Sequence, residues 1–218
     1  KRKAQIIFGT LLLLFFVFTV DFRVSIFRSV YIAYAVALLA IFLIFRGANV
    51  RLLGKVPILV ALWMVSIIWV LTTGNASYII KYALGVLLLY CFSQRKEAGL
   101  YLVQGLAIIG LIFSVATFVF YFFPDIYLNS VVPYLADYLK STAVIMMRTN
   151  RYPGLTGHYS TNGTYLAIGF GAVISSILCG SGEKKNRIRY FVVCLLVLGA
   201  LLLIGKRAHL VFSIAAVF

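Results

Sequence analysis

The apolar residues of this chain fall in uninterrupted blocks of roughly 15 to 25, the length at which an α-helix crosses a hydrocarbon layer about 30 Å thick. That grouping narrows the possible folds more than any other feature. Hydrophobic residues make up 63% of the 218 positions and charged residues 11%, with a mean hydropathy of +1.06. One soluble core of this size cannot cover so much apolar surface, so lipid must cover part of it. The expected fold is all-α, a polytopic transmembrane helix bundle with about seven complete helices and the start of an eighth, forming a single transmembrane domain over residues 1–218. The blocks place helices at 5–20, 25–45, 56–72, 77–92, 98–123, 161–179 and 190–204, with the eighth starting near Ala208.

The chain starts with Lys1 rather than Met and stops at Phe218 inside an apolar run, and it is expected to be a piece of a longer protein, truncated at its carboxyl end. Leu11 to Val20, behind Lys1, Arg2 and Lys3, has the look of a signal sequence. No small-x-small cleavage site follows it, so a retained anchor is expected.

A net charge of +15, from 20 Lys and Arg against 5 acids, would point a soluble protein toward nucleic acid. Here most of the bases sit in short loops between apolar blocks, where the positive-inside bias and anionic lipid account for them, and no nucleic-acid partner is expected. Placing the amino end in the cytoplasm puts Lys1, Arg2, Lys3, Arg46, Arg51, Lys55, Arg95, Lys96, Lys184, Lys185, Arg187 and Arg189 inside, which is twelve of the 20. The remainder, Arg23, Arg28, Lys81, Lys140, Arg148, Arg151, Lys206 and Arg207, work against the bias or lie within helices, at a cost of roughly 2.5–3.5 kcal/mol at mid-bilayer. A bound anion is one compensation for them.

The acids Asp21, Glu97, Asp125, Asp137 and Glu183 are scattered over separate loops. No carboxylate pair or metal site follows from them, nor the intramembrane acids of a proton or ion transporter, and no cofactor is expected. Cys91, Cys179 and Cys194 map to cytoplasmic helix ends or halves and read as small apolar side chains. Asn75-Ala76-Ser77 and Asn162-Gly163-Thr164 match the glycosylation pattern but abut helix entrances, and neither is read as modified.

One outer loop is long, residues 124–160, and function is expected there. Within it Leu135, Tyr138, Leu139, Thr142, Ile145 and Met146 recur at helical spacing while Asp137, Lys140 and Ser141 point elsewhere. That pattern fits an interfacial helix lying flat on the membrane or a spacer without chemistry. The segment from Arg148 to Asn162 then gathers two guanidiniums, a His, several hydroxyls and the turn formers Pro153, Gly154 and Gly157 directly before a helix whose amino end suits a phosphate. Arg148 and Arg151 can equally anchor at lipid headgroups. His158 is a candidate acid or base, and also an ordinary hydrogen-bonding loop residue. Gly163, Ala167, Gly171 and Ser175 follow at four-residue intervals, a smooth stripe expected to let a neighbouring helix pack closely.

A second basic cluster, Gly205-Lys206-Arg207-Ala208-His209, falls at the outer end of the seventh helix. The spacing from Gly199 to Lys206 does not fit a nucleotide-binding loop, and the segment is transmembrane. Lys81, near the outer end of the fourth helix, either snorkels or joins this cluster.

Two stretches, Arg151-Tyr-Pro-Gly-Leu-Thr-Gly-His158-Tyr-Ser-Thr-Asn162-Gly-Thr and Leu201-Leu-Leu-Ile-Gly-Lys206-Arg207-Ala, resemble segments of the O-antigen ligase and O-antigen polymerase superfamily. The resemblance spans about residues 148 to 210, and the earlier helices agree only in number and hydrophobicity. It implies a metal-independent glycosyltransferase of the bacterial cytoplasmic membrane, which polymerises or ligates oligosaccharide repeats carried on undecaprenyl pyrophosphate. The partners implied are a lipid-linked donor, a glycan or lipid acceptor and membrane lipid. On that reading Arg151 and Arg207, then Arg148, Lys206 and Lys81, with Asn162, hold the pyrophosphate, and His158 is the catalytic candidate. The family's large outer loop would lie beyond Phe218. Two other readings stand beside it: a transporter or flippase for an anionic lipid or solute, and a lipid-phosphosugar glycosyltransferase using Asp21.

Overall fold

The computed structural model describes residues 2–18, 39–41, 43–44, 64–65, 68, 72, 96–179, 184–205 and 211. It is 88% helical with no strand among those residues, the all-α class expected. The elements are α1 (Arg2–Phe18), α2 (Lys96–Phe122), α3 (Pro124–Ser130), a 3-10 turn (Val132–Tyr134), α4 (Asp137–Arg148), α5 (Tyr159–Cys179) and α6 (Lys184–Ile204). Two stretches are long and apolar enough to cross a membrane, Ala98–Phe122 in α2 and Tyr159–Leu178 in α5, and shorter apolar helices run over Lys3–Phe15 and Ile188–Ile204. The helices expected at 25–45, 56–72 and 77–92 and the turn into an eighth lie outside the described residues, apart from isolated helical positions.

Every long helix starts earlier than its apolar block does. α6 begins six residues ahead of Tyr190, at Lys184. Lys and Arg are good helix formers, so the backbone winds before the side chains turn apolar, and hydropathy marks only the part that lipid would cover.

α2 and α5 run antiparallel with their backbones touching. A Cβ on Gly110 would lie 2.7 Å from the Cα of Gly169. Two turns further along α2 and two turns back along α5, Thr117 meets Asn162. α1 lies beside α2 and points the same way: Ile6 clusters with Ala98, Leu14 meets Gly105, and Phe18 meets Phe113 at 5.7 Å between ring centres. α6 also runs parallel to α2, with Val193 and Cys194 near Ala107 and Gly199 against Phe118. The starts of α1, α2 and α6, which carry Arg2, Lys3, Lys96, Lys184, Lys185, Arg187 and Arg189, therefore share one end. The start of α5 and the segment between α2 and α5 occupy the other.

Phe113 and Tyr165 pack edge to face in the core with Phe18 tilted against both, and Leu166, Val197, Leu201 and Ile204 belong to the same cluster. The hydroxyls of Thr10, Ser114 and Thr117 donate to the carbonyls of Ile6, Gly110 and Phe113 one turn back, which satisfies them without water. Ile108, Ile112 and Val115 of α2 and Phe191, Leu195 and Leu202 of α6 stay exposed, a surface that favours lipid over water.

The stripe from Gly163 to Ser175 is not the face that meets α2. Gly171 has nothing within 4 Å of a Cβ position among the described residues, and Ser175 is exposed and bonded to the Gly171 carbonyl. Close approach runs through Asn162, Gly169 and Val173 instead. Gly169 matters because its opposite number is also a glycine, and a spacing of small residues within one helix cannot show that.

Candidate functional site

The polar segment is built from two helix ends and the loop between them. α4 has Asp137 in its first turn, favourable to the helix dipole, and its last turn carries Arg148. The helix stops at Asn150, whose φ of 54° places it in the left-handed region that Asn tolerates. The Arg151 N–H then donates to the Met146 carbonyl at 2.9 Å and the Asn150 N–H to the Met147 carbonyl at 3.2 Å, the paired bonds of a Schellman stop. Arg151 is thus held by its own backbone at the end of α4.

From there the chain crosses to α5 through Pro153, Gly154 and Gly157, and buried anchors fix it. Tyr127 of α3, 0% exposed, donates its hydroxyl to the Thr156 carbonyl at 2.7 Å. The Thr156 hydroxyl lies 2.7 Å from the Pro153 carbonyl and 2.8 Å from that of His158, and it accepts from the His158 N–H. Gly154 has φ 58°, and a Cβ there would meet the Asn162 amide at 2.5–2.6 Å, so only glycine fits.

Asn162 is completely buried. Its Nδ2 donates to Thr117 Oγ1 of α2 at 2.9 Å and to the Tyr152 carbonyl at 3.2 Å. Thr117 gives its own proton to Phe113, so it must accept, and a carbonyl can only accept. The amide orientation is therefore determined. Its Oδ1 has no hydrogen-bond partner among the described residues. The part expected for Asn162, direct contact with a pyrophosphate, does not suit this burial. It holds the peptide next to Arg151 and ties the loop to α2.

His158 sits at the start of α5, where its Nδ1 accepts the Ser160 N–H at 3.1 Å and so satisfies one of the helix's unpaired donors. A neutral imidazole that accepts through Nδ1 carries its proton on Nε2, which makes Nε2 a donor rather than a base. His158 stacks on Tyr159 at 4.8 Å, and the Arg151 guanidinium lies 5.3 Å from the Tyr159 ring centre on α5's first turn. Burial, then the neighbouring Tyr121, pushes the Tyr152 hydroxyl above its ordinary pKa.

Arg148 and Arg151 are exposed, and among the described residues no carboxylate lies within 4 Å of either. The ion pair described is Lys140 to Asp137 at 2.8 Å, and Lys140 holds the Asp137 carboxyl below its usual range by hydrogen bond and charge. The structure thus brings Arg151 and His158 against one ring, Tyr159, leaves Arg148 exposed at the end of α4 and buries Asn162 beneath the loop. Lys81, Lys206 and Arg207 lie outside the described residues. The described chain before Lys206 does reach this end: Ile204 belongs to the same apolar cluster as Leu155 and Tyr159.

Sequence reading missed Tyr127, Thr117, Thr156 and the stacking ring of Tyr159. Thr156 and Tyr159 lie inside the polar stretch that the sequence singles out, without a part of their own, and Thr117, like Ser114, left a trace as a hydroxyl in a largely apolar helix. No group of three His, Cys, Asp or Glu comes together among the described residues. No family model, no curated protein and no solved structure matches the chain, so the resemblance to the O-antigen ligase and polymerase superfamily rests on the two stretches that carry it.

Proposed function

We propose that the chain binds the pyrophosphate of a lipid-linked oligosaccharide at the outer face of the bacterial cytoplasmic membrane and catalyses transfer of its glycan, as a polymerase or ligase of the O-antigen type. The observation that carries the reading is Arg151, exposed, without a carboxylate partner among the described residues, stacked on Tyr159 in the first turn of α5, its N–H bonded to the Met146 carbonyl at the end of α4 and the following Tyr152 carbonyl held by the buried Asn162 amide. In the transfer an acceptor hydroxyl attacks the anomeric carbon, the bond to the phosphate oxygen breaks, and the pyrophosphate leaves with added negative charge. Guanidiniums fixed where that charge develops stabilise it.

Sidedness supports the same reading. On this reading the basic starts of three parallel helices face the cytoplasm, in keeping with the positive-inside bias, with Arg148 and Arg151 outside and the amino end of the chain inside. α6 ends at the outer side, and Lys206 and Arg207 follow it in sequence as the second basic group. With His158 engaged as a helix cap, the proton of the attacking hydroxyl goes to a base other than Nε2 in this tautomer.

The test is transfer from a purified lipid-linked oligosaccharide by the protein in membranes. Arg151→Ala and Arg207→Ala are each expected to lower the rate by about 10²–10³-fold, the usual cost of removing one group that stabilises transition-state charge, with insertion unchanged. Full activity in both variants overturns the assignment.

A further inference from the structure

α4 has three faces where an ordinary surface helix has two. Leu139, Ala143 and Met147 face the core and pack with Phe120, Tyr127 and Val131. Asp137 and Ser141 are exposed on a polar flank that ends in Arg148. Between them, Tyr138 and Ile145 form a third flank that is apolar yet 75% and 57% exposed. At 100° per residue, Thr142 and half-buried Met146 lie between that flank and the core. The apolar spacing seen in the sequence therefore divides in two, since Leu135 and Leu139 go to the protein while Tyr138 and Ile145 turn away from it.

We propose that the Tyr138 and Ile145 flank of α4 docks into the headgroup layer of the outer leaflet, with the Asp137 and Ser141 flank turned to water. Three observations select lipid as the occupant. The flank belongs to the segment that follows the end of a membrane-length helix, α2, whose last residue Phe122 is exposed, as is Phe123 just after it. The exposed aromatics here include Tyr121, Tyr134 and Tyr138, and tyrosine concentrates where an apolar ring can be buried with its hydroxyl in water. Arg151, just past the end of α4, adds an exposed cation without a carboxylate partner among the described residues, suited to lipid phosphates. The proposal concerns membrane seating and does not depend on the transfer reaction.

The experiment uses the full chain with its three cysteines replaced by alanine, single cysteines introduced by Tyr138→Cys, Ile145→Cys, Asp137→Cys and Ser141→Cys, and nitroxide labels. The protein is reconstituted in nanodiscs of phosphatidylethanolamine and phosphatidylglycerol. Collision with oxygen, which concentrates in lipid, is compared with collision with a water-soluble nickel chelate. Labels at 138 and 145 are expected to favour oxygen severalfold over those at 137 and 141. Equal nickel access at all four positions, or protection of 138 and 145 from both reagents, as a protein partner would give, overturns the proposal. All four side chains point away from the core, so the substitutions do not depend on repacking it.

Discussion

Asn162 joins the loop, through the Tyr152 carbonyl and Gly154 pressed against its amide, to Thr117 on α2, 45 residues away in sequence. Its two N–H groups are both used. Asn162→Ala should therefore lower stability by about 1–3 kcal/mol, the cost of leaving buried acceptors unpaired, and loosen the segment carrying Arg151. Chemical denaturation gives the first quantity. The second is visible as a transfer rate that falls even where the variant is fully folded. Tyr152 gives a prediction in pH. Its hydroxyl is held above the ordinary value near 10, so the neutral form is favoured by folding, and that contribution is present below the ordinary value and lost as pH rises through the raised one. Wild type should lose more melting temperature between pH 8 and 11 than Tyr152→Phe does. An equal or smaller loss in wild type would contradict the assignment.

At the scale of elements, the glycine pair between α2 and α5 limits what the helices tolerate. Gly169→Leu is expected to force them apart and to lower the melting temperature of the protein in detergent, whereas Gly171→Leu, with open space at its Cβ, should be nearly neutral. Similar losses at both positions would restore the stripe that the sequence suggests. The existence of the long helices was legible because hydropathy is a local property, summed over neighbours in the chain. Their faces were not. Gly169 is distinguished only by Gly110 across the interface, and the two apolar flanks of α4 differ only in what lies beyond them. The site divides the same way. Arg148 and Arg151 could be picked out as cations where cations are unfavourable, but the tether from Asn162 to Thr117 spans 45 residues and leaves no mark in either local sequence.

For the whole molecule, the parallel run of α1, α2 and α6 against α5 predicts opposite exposure of two sites. With native cysteines removed, Asn129→Cys should react with an impermeant maleimide in intact spheroplasts and Arg189→Cys only after permeabilisation. Labelling of both from one side would contradict a bundle that spans the membrane. The meeting point of Gly110 and Gly169 has a mechanical consequence as well. It lies seven residues from the Thr117–Asn162 bond, a lever of about 10 Å at 1.5 Å per residue. Lipid bilayers of different thickness make helices tilt. If α5 rocks on α2 about that contact, a change of about 5° moves Asn162 by only about 1 Å, an estimate from the same helical rise. Gly169 lies ten residues from either end of α5, so both ends would swing by equal and opposite amounts, about 1.3 Å for the same 5°, a displacement small enough for the loop tethered to Asn162 to follow.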